Sequence, residues 1–164
     1  NHDRTVETPG RYAANPMAMA GLEHARSELD EQQREWLATR PKRTTIADGK
    51  YRLVHSHPDL DRLGSYVKPR NFPEMRPYLD EYEGIVLGHT HIQHEAVIDD
   101  RLVVNPGSVG QPRDGDPDAA YAVLDPDAGT VNLHRVGYDI DSVITRVEDA
   151  GLPRRTGARL LDGS

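Results

Sequence analysis

The sequence predicts one α/β domain spanning residues 1–164, on three observations. Stretches with helical periodicity lie near both ends of the chain. Between them run short β-branched and apolar segments, separated by turns rich in Asp, Gly and Pro. Two of those segments end in histidine, "YRLVH" and "GIVLGH". At this length folding buries roughly two-thirds of the unfolded chain's surface, enough for a single core.

The elements follow in order. In "NPMAMAGLEHARSEL", Asn15 is placed as an N-cap and Pro16 at the first helical position, with Met19, Leu22, Ala25, Arg26 and Leu29 on the helical period. Asp30 and Gln33 have capping-box spacing, which predicts a short second helix through Trp36 and Leu37, closed by Pro41. "RTTIADGKYRLVHSH" predicts a hairpin turning at Asp48-Gly49 and returning along Tyr51 to His55. A loop rich in Asp, Pro and Arg follows, then a short helix from Pro73 to Leu79. "GIVLGHT" reads as a buried strand ending at histidine. Two further strand pairs are expected around Asp99-Asp100 and around Pro126 to Gly129. A C-terminal helix capped by Asp139 or Asp141 should stop at Gly151.

Composition excludes several chemistries. The chain has no cysteine, so disulfides, thiolate metal sites and cysteine nucleophiles are ruled out, and any metal must be held by imidazole, carboxylate or amide oxygen. Its net charge is −7, with no basic stripe, which argues against coating a nucleic-acid polymer. No apolar run approaches the ~20 residues of a membrane span, and no charged-then-apolar leader precedes the first motif, so the expectation is a soluble, cytoplasmic chain. Lys42, Lys50 and Lys68 are the only lysines and aspartate outnumbers glutamate, which fits either a salt-adapted cytoplasm or GC-rich codon usage. The first residue is Asn1 rather than methionine, which suggests upstream processing or a fragment.

The chemistry concentrates in histidines. His89 and His91 lie two apart just past an apolar strand, with His94 three further on. Sites in α/β sheets gather at the carboxyl ends of strands, where these two histidines fall. A lone His-x-His also fits an ordinary surface pair. His55 strengthens the ligand reading, since a second strand delivers an imidazole to its carboxyl end. Its neighbour His57 reads as an exposed loop histidine, with a ligand role as the alternative. At the start, Asn1 offers an amide oxygen, His2 an acid–base imidazole and Asp3 a carboxylate able to orient either. "NPGSVGQPRDGD" offers Asn105, Ser108 and Arg113 near the presumed site, where Arg113 could grip a phosphate with its fork, or be a solvated arginine in a turn-rich loop. His24 and His134 read as structural or exposed.

Taken in order, "NHD", "VHSHP" and "GHTH" resemble the asparagine, isolated-histidine and closing Gly-His-x-His blocks of the calcineurin-like metallophosphoesterases. "NPGSVGQPRDGD" and "AAYAVLD" resemble the family's small prokaryotic, phosphodiesterase-type branch. The likeness runs from Asn1 to about Leu161. It implies an α/β fold, a calcineurin-like β-sandwich flanked by helices with its N-terminal part missing. It also implies hydrolysis of a phosphate ester, a small phosphodiester first, by a hydroxide activated between two divalent ions. Asn1, His55 and His89 would bind one metal and His91 the other, with His2 beside the scissile ester as the catalytic residue. Mn²⁺ is the first choice, and Fe, Zn²⁺ or Ni²⁺ also suit such ligands. His94 and Asp3 match no direct ligand role.

The chain departs from the family in lacking the Asp-x-His and Gly-Asp-x-x-Asp blocks, which lie upstream of the asparagine block. The expectation is that those ligands are encoded before Asn1 and that the chain alone is catalytically impaired. Rival readings are a non-catalytic scaffold on the same fold and a phosphomonoesterase or protein phosphatase. Oligomeric state is open.

Overall fold

The computed structural model describes residues 2, 5–8, 10 and 15–164, and the chain divides into two compact units. One comprises residues 1–41 and 139–161, the other residues 42–138 and 162–164. No helix among the described residues is long and apolar enough to cross a membrane.

The first unit is helical, and its helices start where their caps dictate. Helix α1, Pro16–Glu28, begins with the Asn15 side chain accepting the Ala18 amide at 3.3 Å and proline in the first turn. Helix α2, Glu31–Ala38, opens on a complete capping box. Asp30 accepts the Gln33 amide at 2.8 Å and Gln33 accepts the Asp30 amide at 2.9 Å, which satisfies two otherwise orphaned donors. Helix α3, Ile140–Asp149, is capped by Asp139, which takes both the amide and the hydroxyl of Ser142. A short helix α4, Arg154–Ala158, packs against α3, its Gly157 meeting Ile144; no sequence signal had indicated it.

The second unit is built on a five-stranded sheet. Its strands are β1 (Arg43–Ile46), β2 (Tyr51–Val54), β3 (Gly84–Val86), β4 (Gln93–Ile98) and β5 (Arg101–Pro106), in the order β1-β2-β3-β5-β4. Strands β2, β3 and β5 run parallel, with β1 and β4 antiparallel at the edges. A second sheet is the hairpin of β6 (Ala119–Asp125) and β7 (Thr130–Val136). The turn between β4 and β5 puts Asp99 and Asp100 at φ 49° and 62°, left-handed values that Asp tolerates better than most residues.

Strand alternation splits the core into two layers. Ile85, Leu87 and Val103 face a cluster with Val54, Val67, Phe72, Met75 and Leu79. Tyr51, Leu102 and Val104 face the other way, where Val86 and the hairpin's Leu124, Val131 and Leu133 pack on them. The sheet is thus covered on one face by the second sheet and on the other by residues 67–79. This covering segment is a 3₁₀ helix, Pro69–Tyr78, longer at its start than the predicted helix and of a different type. Pro73 and Pro77 inside it remove the amide donors that an α-helix would need.

Candidate metal centre

Parallel pairing of β2 with β3 brings the two histidine-bearing ends together. The register sets Tyr51 opposite Gly84 and Leu53 opposite Val86, and the pairing continues to the Gly88 amide, which donates to the His55 carbonyl at 3.0 Å. The side chains then converge, with His55 Nε2 and His89 Nδ1 3.1 Å apart and the ring centroids 4.9 Å apart. Glycine at 88 permits this approach. A Cβ there would stand 3.2 Å from the His55 carbonyl oxygen and 3.5 Å from its Nδ1.

Beyond Gly88 the backbone is bent hard. The Thr90 amide donates to the Gly88 carbonyl at 2.7 Å across His89, whose φ is 67°, and His91 follows at φ 61°. That i to i+2 bond makes a γ-turn, a strained conformation, and two left-handed non-glycine residues so close together are typical of functional loops. Asn105, 1% exposed at the end of β5, holds the turn. Its Nδ2 donates to the Gly88 carbonyl and to Thr90 Oγ1, both at 2.9 Å, and its Oδ1 accepts the Gly107 amide at 3.0 Å. Its polar side chain ends an apolar run, "LVVN", which is the one trace this role leaves in the sequence.

Backbone carbonyls also fix which ring nitrogens carry lone pairs. A carbonyl only accepts, so His89 Nε2, 2.9 Å from the Gly64 oxygen, must be a donor. In the neutral ring Nδ1 then accepts, and His55 Nε2, 3.1 Å away, is the donor of the hydrogen bond between the two rings. His91 is arranged the other way round. Its Nδ1 donates to the Gln111 carbonyl at 2.7 Å, so its Nε2 holds the lone pair. Ligating histidines are commonly oriented in this manner. Tyr66 stacks on His89, with centroids 4.4 Å apart and planes 21° apart, restricting the ring further.

The other sequence-predicted residues fall out as follows. His2 is exposed and belongs to the helical unit, its carbonyl accepting the Thr5 amide at 2.9 Å. Asn1 and Asp3 lie outside the described residues. The fork of Arg113 is engaged on Gln111 Oε1, at 3.1 Å from Nε and 2.6 Å from Nη2, and its amide donates to the His91 carbonyl. His94 packs edge-on against Phe72, and His134 stacks on Tyr121. The expectation of an exposed His57 is corrected, since it is 2% exposed. The loop folds back so that His57 Nδ1 accepts the Asp59 amide and the ring meets Tyr78 at 87°. Burial, helped by the positive charge of Arg62, holds the His57 pKa below its usual value and keeps the ring neutral.

A further network, invisible in the sequence, ties the loop after β5 to the second sheet. Gln93 and Arg135 both bond Asp114, and Arg135 Nε donates to Gln93 Oε1 at 3.0 Å. Desolvation raises the Asp114 pKa, but the hydrogen bonds from Arg135 and Gln93 and the charge of Arg135 outweigh it. The carboxyl sits below its ordinary range.

Residues 1–129 match the family model of the calcineurin-like phosphoesterase superfamily domain. The chain belongs to that superfamily. An uncharacterized protein of Methanocaldococcus jannaschii is 32% identical over 133 residues, which cover 72% of this chain and 54% of that protein. The chain therefore spans about half the length of this curated relative. A solved structure titled as a metallophosphoesterase from Sphaerobacter thermophilus aligns with all of this chain and 75% of its own, at 32% identity and a TM-score of 0.77. A hypothetical protein from Pyrococcus horikoshii OT3 shares the fold, with a TM-score of 0.83 over 99% of this chain and 71% of its own, at 20% identity.

Calcineurin-like phosphoesterases generally use divalent metal ions, and the geometry here can be tested against that. Nitrogen–metal bonds are about 2.0–2.1 Å, and two such bonds meeting slightly above a right angle put their nitrogens about 3.1 Å apart. His55 Nε2 and His89 Nδ1 have that separation. The pair is hydrogen-bonded here, and the same spacing suits adjacent positions on one ion once the proton between the rings has left. Among the described residues no group of three or more His, Asp or Glu could hold a metal.

Proposed function

We propose that the protein hydrolyses a phosphate ester, a small phosphodiester in the first instance, with divalent metal ions of which Mn²⁺ is the leading candidate. The observation that carries this reading is the facing of His55 Nε2 and His89 Nδ1 at 3.1 Å, at the ends of adjacent parallel strands. Membership of the superfamily supports it.

In this reading His55 and His89, with the Asn1 amide oxygen, hold one ion, and His91 Nε2 serves the other. Bound divalent ions would supply a nucleophilic water at neutral pH and neutralise charge developing on the phosphate oxygens. The chain's own residues do the rest. The strained turn held by Asn105 presents both histidines without reorganisation during the reaction, so its cost is borne on folding. The Gly64 and Gln111 carbonyls orient the rings of His89 and His91. His2 stands as the group that stabilises charge or returns a proton to the leaving oxygen. Arg113 steadies Gln111 and through it His91, with phosphate contact as its further assignment.

Activity against an aryl phosphodiester and the matching monoester, with Mn²⁺ added, tests the proposal on the whole protein. Diester turnover that exceeds monoester turnover, requires metal and is lost in His89→Ala is the expected result. Metal-independent turnover, or turnover indifferent to His89→Ala, would remove it.

A further inference from the structure

Tyr66 is a large aromatic side chain that the site leaves half in water. One face of its ring lies on His89, with centroids 4.4 Å apart and planes 21° apart, yet the residue is 51% exposed. Core packing does not account for it, because burial is what makes an aromatic ring stabilising and half of this one stays wet. Nor is the ring loose. On one side the backbone is tied at Gly64, whose carbonyl lies 2.9 Å from His89 Nε2 and whose amide donates to Ser56 Oγ at 2.8 Å. On the other side Val67 is buried in the core with Phe72 and Met75. Tyr66 is therefore a fixed aromatic platform, set against one of the two strand-end histidines and open to solvent.

The same stretch indicates what the platform takes. Leu60 and Leu63 are also exposed. Residues 60–70 carry Arg62, Lys68 and Arg70 against a single carboxylate, Asp61, in a chain whose net charge is −7. None of those three cations forms an ion pair among the described residues. Exposed apolar surface and positive charge in one loop suit an anion that carries a flat ring. Spacing narrows the choice. A ring stacked on the open face would sit about 3.5–4 Å beyond Tyr66, and so about 8 Å from the His89 ring. A ring joined directly to the ester oxygen of a phosphate at His89 stops short of that point, whereas a base carried on a sugar spans it.

We propose that Tyr66 is a substrate-binding residue: its open face stacks the base of a nucleoside phosphodiester whose phosphate lies at His55 and His89. This rests on the phosphoesterase reading above and narrows its substrate to a nucleotide. Stacking tolerates any base, because every base has a π face, so Tyr66 selects for the presence of a base rather than for its identity. The loss of one such stack weakens binding about tenfold.

Two anions that cannot be hydrolysed test it, the 5′-phosphonate analogues of adenosine monophosphate and of ribose 5-phosphate, which differ only in the base. Calorimetric titration of each into the protein with Mn²⁺ present reads the ratio of their affinities. Wild type should bind the base-bearing anion about tenfold more tightly. Tyr66→Leu should bring the ratio close to one, and Tyr66→Phe, which keeps the ring, should retain it. If Tyr66 only braced His89, Tyr66→Leu would weaken both anions alike and leave the ratio standing, and that result overturns the proposal. Equal affinity of wild type for the two anions, or binding of neither, overturns it as well. Phenylphosphonate against methylphosphonate separates a base from a directly attached aryl group. Little gain from the phenyl ring is expected, and a tenfold gain that depends on Tyr66 would refute the nucleoside assignment. Metal-dependent turnover of the aryl diester alongside a ratio of one would remove the Tyr66 role and leave the phosphoesterase reading in place. A Tyr66-dependent ratio in a protein that turns over no ester would keep the nucleotide site and remove the phosphoesterase reading.

Discussion

Replacing Asn105 with alanine probes the site at its most economical point. The substitution removes three hydrogen bonds at once, those to the Gly88 carbonyl, Thr90 Oγ1 and the Gly107 amide. Two of the three groups keep a partner, because the Gly88 carbonyl still accepts the Thr90 amide and Thr90 Oγ1 still accepts the Ile92 amide. The Gly107 amide loses its acceptor. Two lost bonds at about 1 kcal/mol each and one stranded donor at about 1–3 kcal/mol give a destabilisation of about 3–5 kcal/mol. Part of this need not appear as global unfolding. The left-handed conformations of His89 and His91 cost about 1–2 kcal/mol each, and the turn can relax by releasing them. Urea unfolding combined with hydrogen exchange at the Thr90 amide separates the two outcomes. The expectation is a loss of about 3 kcal/mol or a collapse of Thr90 protection, with weakened metal binding in either case. A global change under about 1 kcal/mol, with Thr90 protection intact, would refute the role assigned to Asn105.

Further outcomes follow from the same geometry. Gly88→Ala should push His55 and His89 apart, because the new Cβ would meet the His55 carbonyl at 3.2 Å, and Mn²⁺ affinity should fall about tenfold with little loss of helical signal on circular dichroism. Asp114→Asn tests linkage. The native carboxyl has a depressed pKa, so its stabilising contribution is present above the unfolded value near 3.8 and fades as pH falls through the lower folded value. The stability gap between wild type and Asp114→Asn should therefore be flat near neutrality and close below about pH 4. Arg113→Met should loosen His91 through Gln111, lowering affinity for a second equivalent of metal more than for the first. Equal losses at both equivalents would contradict that assignment.

Much of the fold could be read from local chemistry, because local groups decide it. Asn15, the Asp30 and Gln33 box and Asp139 fix helix starts within a few residues of chain, and Asp99-Asp100 and Gly151 mark turns and stops through backbone preference alone. What stayed hidden acts through space. The strand order β1-β2-β3-β5-β4 depends on which apolar faces meet, and short buried strands carry little information about their neighbours. The 3₁₀ helix at Pro69–Tyr78 overrode the expected helix because two internal prolines withhold donors. At the site, the strand-end position of His55 and His89 and the nearness of Asn105 could be read in advance, but the hydrogen bonds by which Gly64 and Asn105 hold the histidines could not. They serve through hydrogen bonds that only the folded chain assembles, and a polar residue beside an apolar run looks the same whether or not such partners exist. His57 was misjudged for the same reason, since only the folded-back loop buries it.

The proposed chemistry requires His55 and His89 to bind one divalent ion together. Crystals grown with Mn²⁺ and measured for anomalous scattering test it most directly. A peak is expected within bonding distance of both His55 Nε2 and His89 Nδ1, with the Gly64 carbonyl still on His89 Nε2. Well-ordered imidazoles at saturating Mn²⁺ with no peak between them, or a peak on other residues, would contradict it.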